Sequence, residues 1–353
     1  MRRLIPALLL VASACAPQQS NPSNHAVDNA PAPPPPTGLV DTTKDMPFDF
    51  EAADFVDART GWVVGADAEQ NVSAICKTED GGATWKKLVQ IDGDTLLDID
   101  FADAKNGWCS GAEGVIYHSI DGGATWAAEA ASAVWSPERK TSASTVNSKT
   151  APGQSQLTVN ESIASIFFTD PLNGRAAGDA PTGTSIDVRG LALGTSDGGK
   201  TWSELKDSAG KGAPFAINDI WFVTPMLGWA AGGNLENSEE DILLRTSDGG
   251  KSWTNVTPSD MPDLGRVSQI DGSSFDGGTA YVAVKKMLLG DQSPYIFRTR
   301  DYGKSWAKVV TGIEGNDYVH TVREDPARKG LLYAGTQHGA YVSFDDGDHW
   351  QKF

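Results

Sequence analysis

Cysteine, histidine and positive charge are all scarce in this chain of 353 residues. Three cysteines, five histidines and 29 lysines and arginines stand against 46 aspartates and glutamates, a formal net charge of −17. That acidic balance makes nucleic acid and anionic lipid headgroups poor bulk partners. The histidines, at 25, 118, 320, 338 and 349, are scattered; no H-E-x-x-H occurs and no Cys/His cluster offers a metal its ligands. No acidic stretch follows the alternating D-x-D-x-D-G spacing of a calcium loop. Neither metal nor cofactor is therefore expected. The apolar run near the N-terminus, LIPALLLVA at 4–12, is too short to span a bilayer.

That run follows Arg2 and Arg3 and leads into small residues, the layout of a secretory signal. Ala12, Ser13, Ala14 and Cys15 resemble a bacterial lipobox, which implies cleavage before Cys15 and its lipidation. An ordinary cleaved signal is the alternative. Cleavage would remove both arginines and take the charge to −19. We expect residues 1–15 to be a lipoprotein signal, 16–46 a proline-rich linker and 47–353 the folded domain. The linker carries PAPPPP at 31–36 and no apolar periodicity. At about 3.1 Å per extended residue it would hold the domain several tens of ångströms from a membrane. The expected location is the bacterial envelope, lipid-anchored, on the periplasmic or cell-surface side.

What the chain has in abundance is one phrase. It is written six times: TEDGGATW at 78, SIDGGATW at 119, TSDGGKTW at 195, TSDGGKSW at 246, TRDYGKSW at 299 and SFDDGDHW at 343. Asp80, Asp121, Asp197, Asp248, Asp301 and Asp345 can each fold a carboxylate back onto amides of a tight turn. Gly82, Gly123, Gly199, Gly250, Gly303 and Gly347 stand where the turn needs a positive φ. Trp85, Trp126, Trp202, Trp253, Trp306 and Trp350 then open the next strand, each indole N–H still needing an acceptor.

Tryptophan to tryptophan, the phrases are 41, 76, 51, 53 and 44 residues apart, a period that fits a propeller. A second phrase precedes the first four: FVDARTGWVVG, FADAKNGWCSG, FFTDPLNGRAAG and FVTPMLGWAAG, each with a Phe six residues before the Gly of its GW or GR pair. This reads as strand A ending at the Phe and strand B starting after a short turn. Strand C carries Cys76, Tyr117, Leu193, Leu244, Phe297 and Tyr341 four residues before each box Asp, and strand D starts at the Trp. The expectation is all-β: a β-propeller of about six four-stranded blades, either closing at six or forming a shortened version of a larger ring. Cys76 and Cys109 take positions that small or apolar residues fill in sister repeats; they read as core thiols, with an inter-blade disulfide as the alternative.

The six phrases resemble the Asp-box, or BNR repeat, of sialidases, xyloglucan-cleaving glycosidases, sortilin-type domains and photosystem II assembly factors. The resemblance implies that the boxes are structural hairpins lying away from the ligand pocket. Function is then sought in the opposite loops, between strands B and C and leading into strand A. A long insertion, about 128–160, explains the spacing of 76 and holds Trp135, a candidate anchor for a partner. Glu113, Asp179, Asp187, Glu239, Glu240 and Asp241 are carboxylates on these loops, joined by Arg189 and His338. Glu113 and Asp179 occupy equivalent loops of neighbouring blades and form the fallback pair for glycoside hydrolysis. A sialidase's early Arg-Ile-Pro phrase is not found. The sequence therefore favours a non-enzymatic, monomeric propeller binding a protein or peptide at a membrane surface, with carbohydrate as the alternative ligand and a glycoside hydrolase as the alternative activity.

Overall fold

The computed structural model describes residues 48–67, 72–112, 114–129, 162–181, 188–213, 216–233, 241–286 and 290–352. They form six antiparallel sheets of four strands each. Blade 1 is β1–β4 (Asp49–Phe55, Gly61–Asp67, Val72–Thr78, Lys86–Asp92), and blade 2 is β5–β8 (Leu96–Phe101, Gly107–Gly111, Ile116–Ser119, Ala127–Ala128). Blade 3 is β9–β12 (Ser162–Phe168, Gly174–Pro181, Val188–Thr195, Ser203–Glu204), and blade 4 is β13–β16 (Ala216–Phe222, Gly228–Gly233, Asp241–Thr246, Thr254–Asn255). Blade 5 is β17–β20 (Arg266–Gly272, Ala280–Lys286, Asp291–Thr299, Ala307–Lys308), and blade 6 is β21–β24 (Val319–Glu324, Leu332–Thr336, Gly339–Ser343, Gln351–Lys352). The six-bladed reading holds, and strand A ends at the expected Phe in the first four blades. Strand D starts one residue after each box Trp rather than on it.

Each box is a turn that satisfies its own polar groups. In blade 4 the Asp248 carboxylate accepts from the Ser252 amide at 2.9 Å, the Ser252 hydroxyl at 2.5 Å and the Thr246 hydroxyl at 2.8 Å, while Thr246 Oγ1 accepts from the Gly250 amide at 2.9 Å. Two consecutive residues are left-handed, Gly249 at φ 77° and Gly250 at 91°, which is why most boxes read DGG. Blades 5 and 6 hold the first of these positions with Tyr302 and Asp346, both at φ 64°. Replacing Asp248 with alanine is expected to cost about 1–2 kcal/mol, read as a lower urea midpoint with an unchanged slope.

The Phe-to-Gly spacing builds a clasp between blades. A Cβ on Gly61, Gly107, Gly174 or Gly228 would come within 2.5 Å of the Phe ring of its own blade, so that ring lies flat over the glycine. The preceding blade then closes on the ring. Trp62 stacks on Phe101 at 3.5 Å and donates its indole N–H to the Gly122 carbonyl at 2.9 Å, inside the next box. Trp108 repeats this on Phe168 and Gly198, at 3.5 and 3.0 Å. In blade 3 the GR pair substitutes a guanidinium: Arg175 sits 5.4 Å over Phe222 and donates to the Gly249 carbonyl at 2.8 Å. Between blades 5 and 6, Tyr281 donates to the Asp346 carboxylate and Arg298 to the Asp346 carbonyl.

Apolar side chains fill the wedges behind these clasps. One buried cluster lies at each junction from blades 1 and 2 to blades 5 and 6. Tyr117, Leu193, Leu244, Phe297 and Tyr341 lie in them at the strand C position. Cys76 and Cys109 are buried free thiols, each pushed up in pKa by burial, Cys76 to about 11.

Candidate functional site: the axial channel and the loop face

The innermost strands β1, β5, β9, β13, β17 and β21 turn one hydrogen-bonding edge toward the propeller axis. An edge amide there has no strand beside it, and leaving it unpaired in a buried place is costly. Side chains of the preceding blade supply the acceptors, in two layers. One residue before the strand end, Asp54 accepts from the Phe101 amide, Asp100 from Phe168 and Asp271 from Glu324, each at 2.8 Å. Three residues before the end, Asp98 caps Ile166 at 2.8 Å, Ser165 caps Ile220 at 3.3 Å, Asp219 caps Ile270 at 2.9 Å and Gln269 caps Val322 at 2.9 Å.

These capping carboxylates stand close together along the inner strands, and burial is the main reason that their pKa values rise. Asp54 and Asp98 are each pushed up to about 7, against the lowering effect of the amides that they accept from. Asp100 is raised well above the usual range, by burial and then by the charge of Asp54. Asp219 and Asp271 are raised as well, with Arg323 opposing. Arg323 reaches in from blade 6, donates to Asp271 at 2.9 Å and lies 5.2 Å over the ring of Trp221. Trp221 in turn packs on Phe167 at 4.8 Å. The charge of Arg323 also bears on Asp54 and Asp100, in blades 1 and 2.

None of these axial residues is among the sequence-derived candidates. Their signal is present in the chain: a short polar residue one and three places before the end of strand A, as in LDIDF at 97–101 and SQID at 268–271. It looks like ordinary solvent-facing alternation until the strand edge is known to face the axis.

The candidates from the loop face fall into different settings. Trp135, Glu113, Asp187, Glu239 and Glu240, with almost all of the insertion, lie outside the described residues. Asp179 is half-buried on β10, its carboxyl raised by burial. Asp241 is buried at the start of β15 and clasps blade 5, accepting from the Val267 amide at 2.8 Å and from Arg266 at 3.0 Å. Arg189 pairs with Glu204 of its own blade at 2.5 Å. His338 is half-exposed, with its amide 2.9 Å and its Nδ1 3.1 Å from the buried carboxylate of Asp317, which also accepts from Thr336 at 2.8 Å. Asp179, Arg189, Asp241 and His338 belong to three different blades. The letters GTSDG at 194–198 spell G-x-S-x-G, yet Ser196 lies in a box turn between two strands, not on a strand-to-helix elbow. Among the described residues no group of three or more His, Cys, Asp or Glu could hold a metal ion.

Residues 40–127, through most of the first two blades, match the family model of photosynthesis system II assembly factor YCF48. No curated protein matches the chain in sequence. Among solved structures, YCF48 from Cyanidioschyzon merolae is similar with a TM-score of 0.56 at 16% identity, over 87% of this chain and 85% of that one. A GH74 xyloglucanase from Xanthomonas campestris gives 0.58 at 15% identity, over 86% and 47%. The β-propeller domain of the Trilobed protease from Pyrococcus furiosus, described as having an open velcro topology, gives 0.50 at 9%, over 84% and 81%. The chain spans about half the length of the GH74 enzymes that it matches, 46% of the one from Niastella koreensis. At these identities the likeness is one of fold, and the chain is a six-bladed Asp-box β-propeller.

Proposed function

We propose that this protein is a non-enzymatic binding propeller of the bacterial envelope, held to a membrane by lipid on Cys15, which engages a protein or peptide and supports assembly of a membrane complex. The observation that carries the reading is the use of the axial carboxylates. In a glycosidase of this fold two carboxyl groups would have to stand free across a cleft. Here Asp54, Asp98, Asp100, Asp219 and Asp271 each commit one oxygen to an amide of the next blade, and Arg323 pairs with Asp271 and lies over Trp221. The match of residues 40–127 to an assembly-factor family supports the same direction.

Hydrolysis of a glycoside is the second reading, favoured by Asp179, whose half-buried carboxyl is raised as a proton donor's would be. The two separate cleanly. Purified full-length chain is expected to show no turnover of aryl glycosides or xyloglucan, and affinity capture from envelope extract is expected to recover one membrane complex. Turnover lost on Asp179→Asn or Glu113→Gln overturns the binding reading.

A further inference from the structure

Six large apolar side chains stand exposed among the described residues, between 40 and 68% accessible: Ile120, Leu172, Met226, Phe275, Tyr302 and Phe344. Every one lies in a turn from strand A to B or from strand C to D, hence on the face that carries the boxes. Antiparallel alternation dictates this: both turn types close at the same end of a blade. Blades 2, 3, 4, 5 and 6 each contribute at least one tip. The tips are anchored from below, since the Gly198 amide donates to the Leu172 carbonyl and the Gly249 amide to the Met226 carbonyl, both near 3 Å. Isolated exposed apolar residues are ordinary; one or two at the same end of each of five successive blades are not.

We infer that the Asp-box face docks on a lipid bilayer, its apolar tips entering the interface. A protein partner would call for a clustered, pocketed hot spot, whereas tips distributed around a ring suit a flat and yielding surface. Lys200, Lys251 and Lys304 directly follow box glycines and are exposed, so that their stems can lie along the interface with the ammonium groups among headgroups. The six box carboxylates on this face, though solvent-accessible, accept hydrogen bonds within their own turns. The length of chain before Phe48 permits the orientation. Residues 16–47, at about 3.1 Å each if extended, outreach a seven-residue strand of roughly 23 Å, so a chain held at Cys15 can still lay its far face on the membrane. The acidic balance of the chain opposes anionic lipid, so insertion rather than charge drives the contact. The face geometry does not depend on lipidation of Cys15.

The test uses the full chain carrying Cys15→Ser, with the environment-sensitive dye NBD on Met226→Cys or, as the opposite-face control, on Ser208→Cys; Cys76 and Cys109 are buried and stay unlabelled. On adding phosphatidylcholine vesicles, the label at 226 is expected to brighten and shift to the blue while that at 208 is unchanged. Changing Leu172, Met226 and Phe275 to Glu is expected to cut vesicle partitioning by about tenfold per side chain with thermal melting unaltered. A label at 226 that ignores vesicles, or one that responds no more than the label at 208, overturns the inference. So does a label that answers to lipid-free envelope protein and not to vesicles, which would mark a protein-binding face instead.

Discussion

Trp108→Ala is expected to lower stability by about 3–5 kcal/mol, read in urea or thermal melts, although the residue lies on no candidate binding surface. The substitution removes a ring stacked between Phe168 at 3.5 Å and His118 at 4.5 Å, and leaves the Gly198 carbonyl without its indole donor. The third blade supplies the complementary experiment. Arg175 performs the same job with a guanidinium, so Arg175→Trp, which restores the ring and the N–H of the sister blades, is expected to be nearly neutral, while Arg175→Ala is expected to weaken the fold by about 2–3 kcal/mol. Equal losses for Arg175→Trp and Arg175→Ala would show that the clasp is not transferable between blades.

Arg323→Met is expected to cost about 3–5 kcal/mol near pH 7.5 and much less near pH 5. The guanidinium is paired with Asp271 and bears on Asp54, Asp100 and Asp219, so its loss leaves several buried carboxylates uncompensated. Lower pH relieves this because those groups then take up protons. The unsubstituted protein should show the same sensitivity. Asp54 and Asp98 titrate near 7 in the fold and near 3.9 in an unfolded chain. The stability they contribute is full below about pH 3.9 and is lost as pH rises through 7. The box carboxylates run the opposite way. Hydrogen bonds from His349 and its turn hold Asp345 at about 2, and Asp80, Asp121, Asp197, Asp248 and Asp301 are lowered too, so their contribution is present above about pH 3.9 and is lost on acidification. Melting temperature is therefore expected to peak at about pH 4, where both contributions are present, and to fall from there toward pH 8. A flat profile from pH 5 to 8 would mean that the axial carboxyls stay ionised throughout.

The boxes, the blade count and the strand order were legible in the chain because each rests on contacts that are close in sequence. The carboxylate of Asp248 reaches residues two and four away, and the double glycine announces two left-handed residues in a row. Phe six residues before Gly is likewise a two-strand matter, a ring over a glycine across one turn.

What only the tertiary structure decided is what those features are for. The indole of Trp108 meets a carbonyl 90 residues away, and Asp98 caps an amide 68 residues away. Contacts at that separation follow from how the sheets are arranged around the axis, which no local period encodes. The ring arrangement turned acidic residues on the inner strands into braces between blades, and it placed Arg323 of the last blade among carboxylates of the first two. Among the described residues it also set six large exposed apolar side chains at one end of the blades, because every A-to-B and C-to-D turn closes at that end. The chain by itself determined the repeated unit, through hydrogen bonds within a few residues. The ring decided which side chains brace and which are left to meet a partner, because those roles depend on neighbours that are distant in sequence.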